Sequence, residues 1–166
     1  MNKFTKIIFI FFIYLITYFT LFAFTYPTPD GDSLNYHIPI ASSYLNGNIL
    51  NPEEIDGIPF MKYSPGASEG ILAALIFLKI PIQLFNVFGV LFLFIVCFFL
   101  AKRMNLKNDL SIVFAIVITT LPIMLRWINM QVIDIWLAGF FTLTLFLLES
   151  LRKKNSHYLM LGASAG

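Results

Sequence analysis

Charge is what this sequence lacks most. Only 12% of its 166 residues are charged, against 58% hydrophobic residues that include 19 phenylalanines, whereas a soluble domain usually carries about 25% charged residues. Water is therefore not the expected solvent for most of the surface. Cysteine is nearly absent as well. The single Cys97 lies inside an apolar run, which excludes an internal disulfide and any Cys/His metal pattern and leaves packing as its reading. No phosphate-binding Walker loop, dinucleotide glycine motif, HExxH pair or Ser/His/Asp arrangement occurs, so a soluble nucleotide-dependent or hydrolytic enzyme has no support. The net charge of +2 comes from short cationic clusters beside apolar runs rather than from a basic stripe, which argues against a nucleic-acid partner.

What is present is a series of long apolar runs. Four such runs, 7–24, 82–101, 110–126 and 130–148, carry the excess, and three of them approach or reach the ~20 residues needed to cross a hydrocarbon core of about 30 Å. The first run is longer than a secretory h-region, is rich in Phe and Tyr, and leads to Tyr26-Pro27-Thr28-Pro29 rather than to a small-residue cleavage site; it reads as an anchor. Lys3 and Lys6, the cluster Lys102-Arg103 with Lys107, and Arg152-Lys153-Lys154 all fall on the cytoplasmic side if the positive-inside rule holds. Parity then requires that the apolar stretch 66–80, bracketed by Pro65 and Pro81, does not cross; it is expected as a re-entrant or surface helix, the competing reading being a short true span. The expected fold class is an all-α integral membrane protein, a multi-span helical bundle with an outer amphipathic-helix loop. Its localisation is the plasma or inner membrane, amino terminus cytoplasmic. The chain stops at Leu161-Gly-Ala-Ser-Ala-Gly166, inside what reads as a further apolar segment, and is expected to be the amino-terminal portion of something longer.

Residues 26–65 form a polar, acidic outer loop. Within it Leu34, Ile38, Ala41 and Leu45 fall on one helical face, with Gly47 where a C-terminal cap would sit and Pro39 forcing a kink or fresh start near Ile38. Asp32 admits two readings: a carboxylate that deprotonates a hydroxyl or helps hold a metal, or the N-cap of the helix starting at Ser33. Asp30, before Gly31, reads as a turn residue. Asp134, a few residues inside an apolar segment, is either a site carboxylate facing a cavity or a first-turn residue favoured by the helix dipole. Arg126 could pair with Asp134, bind phosphate through its planar fork, or snorkel to the interface. His37 is a candidate ligand or proton carrier, or a structural histidine. Lys62 and Glu69 flank Tyr63-Ser64-Pro65 on the same outer side, Lys62 as a phosphate attractant or an exposed lysine.

The order of a first span, then Asp32-Ser-Leu-Asn-Tyr36-His37-Ile-Pro39-Ile-Ala41, then Tyr63-Ser-Pro65-Gly-Ala-Ser-Glu69, then Val132-Ile-Asp134 opening a later span, resembles the GT-C glycosyltransferases, more narrowly the branch of the protein mannosyltransferases and aminoarabinose transferases. The likeness covers only the amino-terminal part of such enzymes. It implies transfer of a sugar from a polyprenyl-phosphate donor in membrane lipid to a glycan, lipid or protein acceptor on the outer face. The resemblance places an acidic catalytic residue at Asp32, a second acidic residue at Asp134 and a further acidic position at Glu69. It also brings the possibility of a divalent cation, Mg or Mn, at Asp32 and Asp134. Substrate-binding roles would fall to Arg126, His37, Glu69 and Lys62. By the same token this stretch alone is expected to be inactive. The competing expectations are a transporter or channel piece, with Asp134 and Arg126 along a conduction path, and a non-catalytic membrane scaffold in which both aspartates are caps.

Overall fold

A computed structural model describes residues 1–25, 31–46 and 66–154, leaving out the side chains of 151–154. Helix is the only regular secondary structure among the described residues, which contain no strand. Among the described residues seven α-helices follow one another: α1 Lys3–Thr25, α2 Ile38–Leu45, α3 Ala67–Phe77, α4 Phe85–Arg103, α5 Asn108–Thr119, α6 Pro122–Trp127 and α7 Asp134–Lys154. A π-turn over Ser33–His37 leads into α2, and a 3-10 turn over Ile82–Leu84 leads into α4.

Among the described residues two helices are long and apolar enough to cross a membrane, α1 and the continuous Ile82–Arg103 segment that contains α4. They sit differently in the bundle, with 56% of the most apolar window buried for the segment around α4 and 11% for α1. α4 is the central post. α1 exposes Phe4, Ile7, Ile10, Phe11, Tyr14, Tyr18 and Leu21 around much of its circumference; a helix apolar on nearly every side needs a non-aqueous surrounding. The segment expected as one span over 110–126 is divided. α5 ends at Thr119 and α6 begins at Pro122, because Pro122 lacks an amide hydrogen and drives Leu121 to an extended ψ of 141°. At 12 residues, α5 alone reaches only ~18 Å.

Turn chemistry sets the helix directions. α3 and α4 both end in a residue with left-handed backbone, Lys79 (φ 57°) and Asn105 (φ 67°). In each case the next amide reaches back to a carbonyl five residues earlier, Ile80 N–H to Leu75 O at 3.0 Å and Leu106 N–H to Ala101 O at 3.1 Å, the Schellman closure. The second of these turns folds α5 back antiparallel onto α4. α7 runs parallel to α4: Gly89 faces Ile135 and Trp136, Gly139 faces Phe92, and Arg103 Nη2 donates to Ser150 O at 3.1 Å. α1 runs parallel to α5, since Asn2 N–H donates to Asp109 Oδ2 at 3.0 Å and the terminal ammonium lies 3.8 Å from the same carboxylate. The start of α1, the α4–α5 turn and the end of α7 therefore share one end of the bundle, and with them Lys3, Lys6, Lys102, Arg103 and Lys107. At the opposite end lie the π-turn, the start of α4 and the α6–α7 connection, joined by the hydrogen bonds described next.

Candidate functional site at the end opposite the cationic clusters

Asn86 organises this end from within. Its side chain is fully buried in the first turn of α4, and its amide nitrogen lies within hydrogen-bond distance of three carbonyls of the α6–α7 connection: Trp127 (3.0 Å), Met130 (2.8 Å) and Val132 (2.8 Å). Three acceptors on one nitrogen fix the shape of the connection that delivers Asp134 to the start of α7.

The π-turn is fastened to that connection. Ser33 Oγ accepts the Gln131 backbone N–H at 2.7 Å, a buried bond spanning 98 positions of sequence. The residue after Asp32 is thus tied to a residue three positions before Asp134. Asp32 and Asp134 are both exposed. Asp32 already has helical backbone (φ −68°, ψ −42°) and makes no side-chain capping bond, so the N-cap reading of its carboxylate is not realised. Asp134 opens α7, where the helix dipole favours a negative charge.

Of the other sequence candidates, the structure brings His37 and Glu69 into direct contact. His37 Nδ1 lies 3.1 Å from Glu69 Oε1, with both side chains buried, and Ser68 Oγ donates to Glu69 Oε2 at 3.0 Å. A buried carboxylate needs such partners, because burial without them is costly. Glu69 is the third residue of α3 and folds back on Gly66, the residue before the helix; a Cβ at position 66 would crowd its Oε2, so the glycine leaves the carboxylate room. Tyr44 sits beside this pair. Its hydroxyl is buried and comes near the Gly66 backbone without a geometrically acceptable hydrogen bond, and burial first, then the Glu69 charge, raises its pKa above the ordinary tyrosine value. Arg126 is exposed and stacks over the Trp127 ring at 4.9 Å; among the described residues it forms no ion pair with Asp134. Lys62 and Asp30 lie outside the described residues.

The buried face of the outer helix differs from the expected one. Leu34 and Leu45 are exposed, and the residues turned inward are Ser33, His37, Ile40 and Ala41. The turn before Pro39 opens into a π-type ring in which Ile38 N–H bonds to Ser33 O, yet residues 33, 37, 40 and 41 keep ordinary helical spacing, so the buried stripe is offset by one residue from the expected one rather than broken at the proline.

For a metal the fit is incomplete. A hard divalent cation takes six or more oxygen ligands, and among the described residues no group of three or more His, Cys, Asp or Glu side chains is placed to hold one. Asp32 and Asp134, both exposed, could supply two carboxylates.

Sequence reasoning passed over Ser33, Gln131, Ser68 and Asn86. Asn86 carried a signal, an amide inside an apolar run, which in such a segment marks an internal partner; Ser33 and Gln131 carried none, because their bond depends on a register visible only in three dimensions. Comparison with family models, curated proteins and solved structures finds no match to this chain.

Proposed function

We propose that this chain is the amino-terminal, membrane-embedded part of a GT-C-type glycosyltransferase that moves a sugar from a polyprenyl-phosphate donor to an acceptor hydroxyl at the outer membrane face. In this reading α1, α4, the broken α5–α6 pair and α7 cross the bilayer with the amino terminus in the cytoplasm, and α3 stays at the outer surface. The observation that carries it is the Ser33–Gln131 hydrogen bond. That bond draws the Asp32 and Asp134 segments together at the bundle end away from Lys3, Lys6, Lys102, Arg103 and Lys107, the end that the positive-inside rule assigns to the outside.

The chemistry asked of these residues is modest. The acceptor oxygen attacks the anomeric carbon while Asp32 takes its proton, and the bond from that carbon to the phosphate oxygen breaks with its electron pair leaving on polyprenyl phosphate. Arg126, already exposed near the α6 end, is suited to offset the charge gathering on the leaving phosphate. Asp134 supplies the second acidic group, to orient the sugar or acceptor by hydrogen bonds. The test is transfer from a labelled polyprenyl-phosphate sugar in membranes carrying the gene's full product. Asp32→Asn should abolish it at normal protein level. Undiminished transfer would remove Asp32 from the mechanism, and indifference to both Asp32→Asn and Asp134→Asn would favour a scaffold.

A further inference from the structure

We infer that the π-turn Ser33–His37 is a positioning device for Asp32, with Ser33 and His37 as its two pins; the inference rests on the reading of Asp32 as the reacting carboxylate. π-turns are rare and occur disproportionately at functional sites. Here the cause is local, because Pro39 cannot donate the amide hydrogen that a regular helix would use at that point. On the buried side of this turn two polar residues four apart, Ser33 and His37, face inward while Leu34 is turned out.

Each pin enters a receptor on a different element. Ser33 Oγ receives the Gln131 amide of the α6–α7 connection at 2.7 Å, and His37 Nδ1 meets Glu69 of α3 at 3.1 Å. Glu69 is itself steadied by Ser68 Oγ at 3.0 Å, and Gly66 leaves its carboxylate room. Asp32 directly precedes the first pin and is held by no hydrogen bond of its own capping type, so its aim is set by the turn that follows it. Two anchors on two separate elements fix both the position and the rotation of that turn, where a single anchor would leave it free to swivel. Ser33, His37, Glu69 and Pro39 act through Asp32 and need not touch substrate.

The test joins kinetics to a distance measurement that does not depend on turnover. In the full gene product, Ser33→Ala, Glu69→Gln and Pro39→Ala should each lower kcat on the order of tenfold to a hundredfold with little change in acceptor KM, the signature of a displaced reacting group. Ser33→Thr, which keeps the hydroxyl, should restore most of the rate. In a Cys97→Ser background, spin labels at Asp32→Cys and Asp134→Cys should give one narrow distance distribution that broadens on adding Glu69→Gln or Pro39→Ala. An unbroadened distribution, or unchanged kcat in variants of a protein that Asp32→Asn inactivates, would overturn the inference. If the full product shows no transfer at all, the glycosyltransferase reading fails while the label distances still decide whether the turn is pinned.

Discussion

Gly139 of α7 lies under the Phe92 ring of α4, so close that a methyl group on its α-carbon would stand 2.6 Å from Phe92 Cδ1. At the same meeting of the two parallel helices a Cβ on Gly89 of α4 would stand 3.1 Å from both Ile135 Cγ2 and Trp136 Nε1. Within lipid, apolar side chains gain little by leaving one apolar surrounding for another, and close backbone approach at small residues becomes a main source of helix association.

Gly139→Leu should therefore destabilise the bundle by about 1–3 kcal/mol through overpacking. Gly139→Ala should be milder, since the obstacle is a side chain that can rotate rather than backbone. Pairing Gly139→Ala with Phe92→Leu should recover most of the loss. Thermal unfolding of the detergent-solubilised protein, read as a double-mutant cycle, measures this; strict additivity of the two changes would show that the glycine and the ring do not constrain each other.

Asn86 makes a different kind of contact, one that secures the α6–α7 connection by polar bonds rather than by shape. Asn86→Leu keeps the branched outline of the side chain but withdraws the Asn86 amide from the carbonyls of Trp127, Met130 and Val132, of which Trp127 O still accepts the Met130 N–H. The expected loss is about 1–3 kcal/mol. Asn86→Asp should be worse than Asn86→Leu, because it sets a carboxylate against three carbonyl oxygens at a site with no solvent. Equal melting temperatures for wild type and Asn86→Leu would show that these bonds contribute nothing net.

Tyr44 gives the opposite expectation. Its hydroxyl is buried without a hydrogen bond, so Tyr44→Phe removes an unsatisfied group and should leave stability unchanged or slightly improved near neutral pH. The sign at alkaline pH follows from the raised pKa. The folded protein holds the phenolic proton to higher pH than the unfolded chain does, so as pH climbs past the ordinary tyrosine value the unfolded state releases its proton first and stability falls. Tyr44→Phe should flatten that alkaline decline, measured as the change in Tm between pH 9 and 11; a decline of equal steepness in the variant would assign it to other groups.

How much of this could be read from the sequence depends on what each feature obeys. Runs of apolar residues and the prolines that interrupt them are local, and they gave the helices and the restart at Pro39. Periodicity held in part at the outer helix: of the expected face Ala41 is buried and Ile38 packs against the core, while Leu34 and Leu45 are exposed. The inward stripe is offset by one residue, and Ser33 and His37 take inner positions because Gln131 and Glu69 offer them bonds. Pro122 carried the same kind of local signal, yet the hydropathy of 110–126 is continuous and concealed the break between α5 and α6. The His37–Glu69 contact joins residues that were each singled out alone. Nothing in one sequence reports that two such residues 32 positions apart meet.

Sidedness bears on every step of the proposed chemistry, and it can be tested without any substrate. Met104, in the α4–α5 turn, and Leu34, in the π-turn, are both well exposed and lie toward opposite ends of the bundle. Met104 neighbours the cationic cluster Lys102-Arg103, while Leu34 follows Ser33, which is bonded to the α6–α7 connection. In a Cys97→Ser background, Leu34→Cys should react with a membrane-impermeant maleimide in intact cells. Met104→Cys should react only after the membrane is opened, because the neighbouring Lys102 and Arg103 place that turn on the cytoplasmic side under the positive-inside rule. Reaction of both positions from outside would mean that the two ends share a compartment and that α4 does not cross. Reaction of Met104→Cys alone from outside would turn the Asp32 end toward the cytoplasm and with it the face on which any sugar transfer could occur.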